Sequence, residues 1–219
     1  MKPDQSAKLP QYTDRERYFD GIVHVIGVVS SIVAVAAMIV LSLMWQDVQA
    51  TLSVTIYGVS AATVFVTSAA YHHAQTSESK AIWRRLDHSA IFVKIAGTYT
   101  PFAMISIGGW FGLKLLLTVW GVAVVGVTVK LAGWRFGNKL SAGLYLAQGW
   151  LILLALDPFR KALEPAEMTL CLFGGGLYTI GVGFFLAARL PHHNAIWHVF
   201  VLAASACFYA AIFKAVVLR

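Results

Sequence analysis

Long apolar stretches, each about the length of a membrane span, recur along the chain and are separated by short polar or glycine-containing segments. A helix needs roughly 20 mainly apolar residues to cross the hydrocarbon core of a bilayer. The stretches that meet this requirement predict seven transmembrane helices, near residues 21–45, 51–73, 88–108, 111–132, 139–157, 167–189 and 193–217. We therefore predict an all-α integral membrane fold, with residues 1–20 as a polar tail and residues 21–219 as a single seven-helix domain.

The composition agrees with a membrane protein and narrows the range of partners. Apolar residues make up 58% of the chain and charged residues 12%, whereas a soluble domain has about 25% charged residues. The formal net charge is +7, but the basic residues lie in short loops and form no basic domain. We expect membrane lipids as partners and no nucleic acid. The sequence does not indicate the oligomeric state.

The distribution of Lys and Arg predicts the orientation. One end of the predicted bundle carries Lys2, Lys8, Arg15, Arg17, Lys80, Arg84, Arg85, Lys130, Arg135, Lys139 and Arg189. The other end carries Lys114, Arg160, Lys161, Lys214 and Arg219. Because basic loops remain in the cytoplasm, we expect the amino terminus in the cytoplasm and the carboxyl terminus outside, in the inner (plasma) membrane. This orientation is opposite to that of G-protein-coupled receptors and excludes that class.

Polar side chains occur at one depth on four of the predicted helices, near their cytoplasmic ends. They are Asp20 and His24, Ser68 and His72, Asp87, and Asn194 and His198. Residues four apart share a helix face, so Ser68 lies on the same face as His72, and Asn194 on the same face as His198. Polar groups inside membrane spans are expensive to bury, and those that occur are usually functional. The four helices therefore predict a polar site at the cytoplasmic side.

A lysine also lies within the third predicted span. Lys94 follows Asp87 by two helical turns on the same stripe of the helix. A buried ammonium is stabilised by an acidic partner, or it extends to the membrane surface. Both arrangements stay open for Lys94, and pairing with Asp87 is the cheaper of the two in a low-dielectric environment.

Three motifs give the chain a family resemblance. They are Ser68-x-x-Tyr71-His72, the segment LDHSAIFVKIAGTYTPF at 86–102, and the segment NAIWHVFVLAAS at 194–205. In these motifs the chain resembles the hemolysin III proteins, the bacterial branch of the progestin-and-adiponectin-receptor family, over nearly its whole length. The resemblance implies a seven-helix fold with the amino terminus inside. It also implies zinc at the cytoplasmic ends of the second and seventh helices, as in eukaryotic relatives, which resemble alkaline ceramidases.

The resemblance assigns roles to individual residues. His72 and His198 match zinc-binding histidines, while Ser68 and Asp87 match a conserved serine and aspartate with expected catalytic roles. Asn194 stands at the third metal-binding position, where the family has histidine. An amide oxygen is a weak zinc ligand, so a strict three-histidine site is not expected. A site formed by His72, His198 and Asp87 is the alternative.

The first helix departs from the family pattern as well. Asp20 stands where an asparagine is usual, ahead of His24. The resemblance assigns no metal-binding role to either residue.

Three functions follow as hypotheses. The first is a zinc-dependent hydrolase that cleaves an amide or ester bond of a lipid. The second is a non-enzymatic sensor or regulator of membrane lipid or energy state, which the loss of a zinc ligand at Asn194 favours. The third, suggested by the family's name, is a cytolysin. A secreted toxin needs a soluble form before insertion, and the first twenty residues contain no apolar signal-peptide core.

Overall fold

The computed structural model describes residues 13–134 and 137–218, and in these ranges the chain is helical and has no strands. Seven helices there are long and apolar enough to cross a membrane. They are α1 Asp14–Trp45, α2 Val48–His73, α3 Ser77–Ile107, α4 Gly109–Leu131, α5 Asn138–Ala162, α6 Pro165–Leu186 and α7 His193–Val217. The predicted number of spans is therefore confirmed.

The first and third helices begin earlier than the apolar stretches predict. α1 begins at Asp14 rather than at residue 21 because Thr13 and Glu16 form a capping box. The Glu16 amide donates to Thr13 Oγ1 at 3.3 Å, and the Thr13 amide donates to Glu16 Oε2 at 2.8 Å. Caps of this kind satisfy the free amides of the first turn, so a polar segment can be helical. The predicted tail before residue 13 lies outside the described residues.

Three of the helices are irregular, one of them α7, which ends in the π-helical turn Phe213–Val217. α3 passes through Pro101 and ends in a π-helical turn, Phe102–Ile107. α5 contains a 3₁₀ segment, Trp150–Ala155, between two α-helical parts. Tyr99 of α3 bridges the start of that segment, because its hydroxyl donates to the Gly149 carbonyl at 2.7 Å and accepts from the Ile152 amide at 2.8 Å. A side chain thus satisfies two backbone groups where the helix changes its hydrogen-bonding pattern.

Six of the seven helices surround a central cavity. α1 packs against α2, α2 against α3, and α6 against α7, while α7 returns to contact α1. α5 contacts α3 and α6, and α4 packs against α3 and contributes no residue to the cavity wall. Gly97 permits close contact of α3 with α2, because a Cβ there would lie 2.0 Å from Ser60 Oγ. The exposed large side chains of the outer helix faces are mostly apolar, as contact with lipid requires.

Candidate functional site

The central cavity has a volume of about 1950 Å³. One stripe of α3, from Lys80 to Phe102, lines it, which corresponds to about 33 Å along the helix axis at 1.5 Å per residue. We call the end of the bundle at which α1, α3 and α7 begin and α2 ends the site end. The wall is polar at the site end, whereas Phe102, Ile152 and Phe159 line the opposite end. The cavity is therefore polar at the site end and apolar at the opposite end.

Four titratable side chains from three helices meet at the site end of the cavity. Asp20 and His24 come from α1, His72 from the last turn of α2, and His198 from the second turn of α7. One potential ligand atom from each residue lies within 4.8 Å of the others, so the group could hold a metal ion. Asp20 and His24 are 9% and 4% exposed, which is unusual for polar groups unless they are paired.

The Asp20 carboxylate connects the histidines of the group. Its Oδ2 lies 2.9 Å from His72 Nδ1, and its Oδ1 lies 3.0 Å from His198 Nδ1. The backbone carbonyl of Asp20 lies 2.7 Å from His24 Nδ1. Residue 20 therefore contacts the Nδ1 atoms of all three rings. The imidazole rings lie edge to face or tilted, with centroids 4.3 to 4.9 Å apart.

Ser68 and Asp87, both predicted as catalytic residues, lie next to this group. The Ser68 hydroxyl is 3.2 Å from His24 Nε2 and 3.3 Å from His198 Nε2. The Asp87 carboxyl interacts with Ser68 and with His72. Both residues line the cavity. The structure thus places a hydroxyl and a carboxyl beside the histidines, and their catalytic roles stay predictions.

Asn194, the third predicted metal-binding residue, lies in the first turn of α7, one turn before His198, and lines the cavity. Its role as a ligand stays a prediction. Sequence reasoning noted Asp20 and His24 only as polar residues at the same depth and did not assign them to the metal site. The signal that could have identified them is their spacing, because a carboxyl and an imidazole four residues apart share one face of α1.

Neither arrangement considered for Lys94, pairing with Asp87 or extension to the membrane surface, is observed. The Lys94 ammonium donates instead to the hydroxyls of Tyr178 and Ser205, from α6 and α7. The ammonium also lies 4.6 Å from the centroid of the Tyr178 ring. Asp87 lies two helical turns, or about 10 Å along the helix axis, from Lys94. The two hydroxyls are closer, so the ammonium bonds to them instead. Lys94 lines the middle of the cavity and is 6% exposed.

We expect the replacement of Lys94 by methionine to leave the Tm unchanged or to raise it. Burying an ammonium without an acidic partner costs free energy, and apolar replacement of buried charges is often neutral or stabilising. Tyr178 Oη and Ser205 Oγ, 2.9 Å apart, keep each other as partners. Thermal unfolding in detergent measures the effect, with Lys114→Met, a change at an exposed lysine of α4, as the control. A Tm of Lys94→Met below that of Lys114→Met would show that the ammonium stabilises the fold.

The fold and the site together define a class of protein: a multi-pass, seven-helix membrane protein with a His/Asp group at one end of a central cavity. Residues 13–209 match the family described as Haemolysin-III related. The chain belongs to this family, as the resemblance of its motifs implied.

Individual relatives agree with the family assignment. The chain is 37% identical over 206 residues to the Hemolysin-3 homolog of Bacillus subtilis (strain 168), an alignment covering 94% of this chain and 97% of the relative. It is 36% identical over 206 residues to Hemolysin-3 of Bacillus cereus, covering 94% of each chain. A more distant relative is the Monocyte to macrophage differentiation factor of Homo sapiens, 26% identical over 178 residues, or 78% of this chain and 71% of the relative. No solved structure matches the chain significantly.

Proposed function

We propose that the protein is a membrane-embedded, zinc-dependent hydrolase that cleaves an amide or ester bond of a lipid. The observation that supports this most directly is the position of the His/Asp group, which lies with Ser68 and Asp87 at the polar end of a cavity of about 1950 Å³ with an otherwise largely apolar wall. A lipid needs both parts of such a cavity, because its scissile bond is polar and its chains are apolar.

The donor set of the site fits a zinc ion. Imidazole nitrogen and carboxylate oxygen are typical zinc ligands, and Asp20, His24, His72 and His198 supply them within a compact group. A bound zinc ion would supply Lewis acidity to polarise the scissile carbonyl and activate water. Metal binding of this kind would also account for three adjacent imidazoles contributed by three membrane spans, an arrangement that is costly without a ligand.

Asp87 and Ser68, beside the histidines, would accept the proton and stabilise the substrate oxygen on which negative charge develops. Asp87 faces Ser68 and His72 and would accept the proton of the attacking water. Ser68 would donate its hydroxyl hydrogen to the oxygen on which negative charge develops. Burial of this region would strengthen both interactions, because the surroundings screen charge less than water does.

The cavity wall suggests how a lipid chain would be held. Phe65, Trp150, Tyr178 and Phe208 line the cavity beyond the histidines, and the α3 stripe continues to Phe102. An acyl chain with its carbonyl near Asp87 would pass along these aromatic side chains and lose contact with water. Burial of each methylene group contributes about 0.8 kcal/mol, so the wall would bind long chains more tightly than short ones.

We place the site end at the cytoplasmic face of the inner (plasma) membrane. Arg17, Lys80 and Arg84 line the cavity at this end, and basic residues of membrane proteins are concentrated on the cytoplasmic side. The same residues would attract anionic lipid headgroups. Accessibility of a cysteine introduced at Ser77 to a membrane-impermeant thiol reagent would test this orientation: labelling in inside-out vesicles but not in intact cells is expected.

The function is tested by assaying the purified protein in lipid nanodiscs against fluorescent ceramide, phospholipid and acyl-ester substrates. We expect release of a fatty acid from at least one substrate, loss of release after zinc removal by a chelator, and recovery after zinc is restored. Empty nanodiscs and the His72→Ala variant are the controls. If the zinc-loaded protein releases no fatty acid from any of these substrate classes, the hydrolase proposal is contradicted.

A second candidate is a non-enzymatic regulator of membrane state. Asn194 favours it, because the family's metal-binding histidine is absent from this position. In that case the His/Asp group would form a structural hydrogen-bond network centred on Asp20, without metal and without turnover. Metal analysis of the purified protein separates the two functions, because the hydrolase requires the ion and the network does not.

A further inference from the structure

The proposed metal site raises the question of which side chain takes the place of the histidine that position 194 lacks. We propose that His24 is the third imidazole ligand, together with His72 and His198, and that Asp20 stays outside the coordination sphere and orients the rings. This inference rests on the proposed metal site but not on any hydrolytic activity. It gives the site three histidines from α1, α2 and α7.

The hydrogen bonds around residue 20 fix which nitrogen of each ring carries hydrogen. A carboxylate or a carbonyl oxygen can only accept a hydrogen bond. The Nδ1 atoms of His72 and His198 face the Asp20 carboxylate at 2.9 and 3.0 Å, and His24 Nδ1 faces the Asp20 carbonyl at 2.7 Å. All three Nδ1 atoms therefore donate. In a neutral imidazole the Nε2 atom then has a free lone pair, which is what a metal ion requires.

The Nε2 atoms have too few donors to satisfy them. Those of His24 and His198 lie 3.2 and 3.3 Å from Ser68 Oγ, but a serine hydroxyl has one hydrogen and can donate to one of them. No group in residues 13–134 or 137–218 donates to Nε2 of His72. Ser68 can therefore satisfy at most one of the three Nε2 lone pairs, whereas a cation between the rings would satisfy all three.

The rings also have the spacing of a three-histidine site. The centroid distances are 4.3 Å between His24 and His198, 4.8 Å between His24 and His72, and 4.9 Å between His72 and His198. Three imidazoles on a tetrahedral zinc ion, with Zn–N bonds of about 2.0 Å, place their centroids about 5 Å apart. The observed distances are all slightly shorter than this, so an expansion of the group by less than about 1 Å would complete the site.

Asp20 is better placed to orient the ligands than to be one. Both of its carboxylate oxygens already accept a histidine Nδ1–H, and direct metal binding would give up at least one of these bonds. A carboxylate that accepts from a metal-bound histidine fixes the ring and raises its basicity. This role also explains a carboxylate at position 20, because asparagine would replace one of the two accepting oxygens by an NH2 group that only donates.

Zinc content and zinc K-edge X-ray absorption of the purified protein test the proposal without an activity assay. We expect one zinc per wild-type chain with three imidazole ligands, and two imidazole ligands with at least about tenfold weaker zinc binding in His24→Ala. Asp20→Asn should keep three imidazoles and bind zinc about 10- to 100-fold more weakly. His73→Ala, next to His72 and outside the group, is the matched control and should match the wild type.

Several outcomes would overturn the proposal. One is that the wild type and His24→Ala have equal imidazole counts and equal zinc affinities. Another is that the spectrum of Asp20→Asn loses a carboxylate ligand. The third is that the wild type contains no zinc. Asn194→His provides a test that keeps every residue of the group. If His24 is the third ligand, this variant should not change the zinc stoichiometry, whereas restoration of zinc to a metal-free wild type would assign the third position to residue 194.

Failure of this proposal is distinguishable from failure of the hydrolase. Zinc held by three imidazoles without turnover of any lipid would support the ligand assignment and contradict the hydrolase. Metal-dependent turnover, with two imidazole ligands in both the wild type and His24→Ala, would support the hydrolase and contradict the ligand assignment.

Discussion

The replacement of His198 by alanine is expected to abolish stoichiometric zinc binding. The His198 ring is central to the site, because it lies 4.3 and 4.9 Å from the His24 and His72 rings and contacts both Asp20 and Ser68. The change removes a ligand and also leaves a buried carboxylate oxygen of Asp20 without its partner. Loss of an orienting residue alone weakens metal binding about 10- to 100-fold, and loss of a ligand should exceed this.

Elemental analysis of zinc per chain, followed by competition with a chromophoric chelator, measures this effect. His73→Ala is the control, since it removes a histidine at the site end that does not belong to the group. Circular dichroism and Tm would confirm that both variants are folded. If folded His198→Ala has the zinc content of the wild type, His198 is not a ligand and other residues must bind the metal.

Asp87→Asn is expected to reduce kcat for lipid hydrolysis by about 10²- to 10⁴-fold, the range for loss of a general base. Asparagine has the same shape and can still hydrogen-bond to Ser68, but it cannot accept a proton. Because Asp87 is assigned to the proton and not to the metal, zinc content should stay at the wild-type level. Initial rates in nanodiscs at saturating substrate, with zinc measured on the same samples, test both statements.

Asp157→Asn is the matched control for this prediction, because Asp157 lies in α5, is exposed and does not line the cavity. Its rate should equal that of the wild type. A rate for Asp87→Asn within twofold of the wild type would remove Asp87 from the mechanism. A decrease that only follows a loss of zinc would show that Asp87 supports metal binding instead.

The sequence predicts the spans well because membrane insertion depends on length and polarity, which are local properties. α7, predicted at 193–217, is observed at His193–Val217. The early starts of α1 and α3 were missed, because caps such as Thr13 and Thr76 allow polar residues to be helical. The 3₁₀ segment of α5 was also missed, since it depends on the hydroxyl of Tyr99, far away in the chain.

For the site, the sequence gives the depth of each polar residue but not its position around the bundle. Depth placed His72 and His198 at the same end of the bundle, and the family resemblance assigned both to one metal site; their ring centroids lie 4.9 Å apart. Depth was not enough for Asp20, whose contacts depend on how α1 is rotated toward α2 and α7. Lys94 shows the same limit, because Asp87 lies on its own helix, whereas Tyr178 and Ser205 come from α6 and α7.

The bridge that Tyr99 forms to α5 has a mechanical consequence. In hydrocarbon, each backbone group without a hydrogen bond costs several kcal/mol. If α3 and α5 separated near Gly149, the carbonyl of that residue and the Ile152 amide would both lose their partner. Separating α3 from α5 at this point is therefore costly, so the lipid substrate of the proposed hydrolase is expected to enter the cavity between other helices.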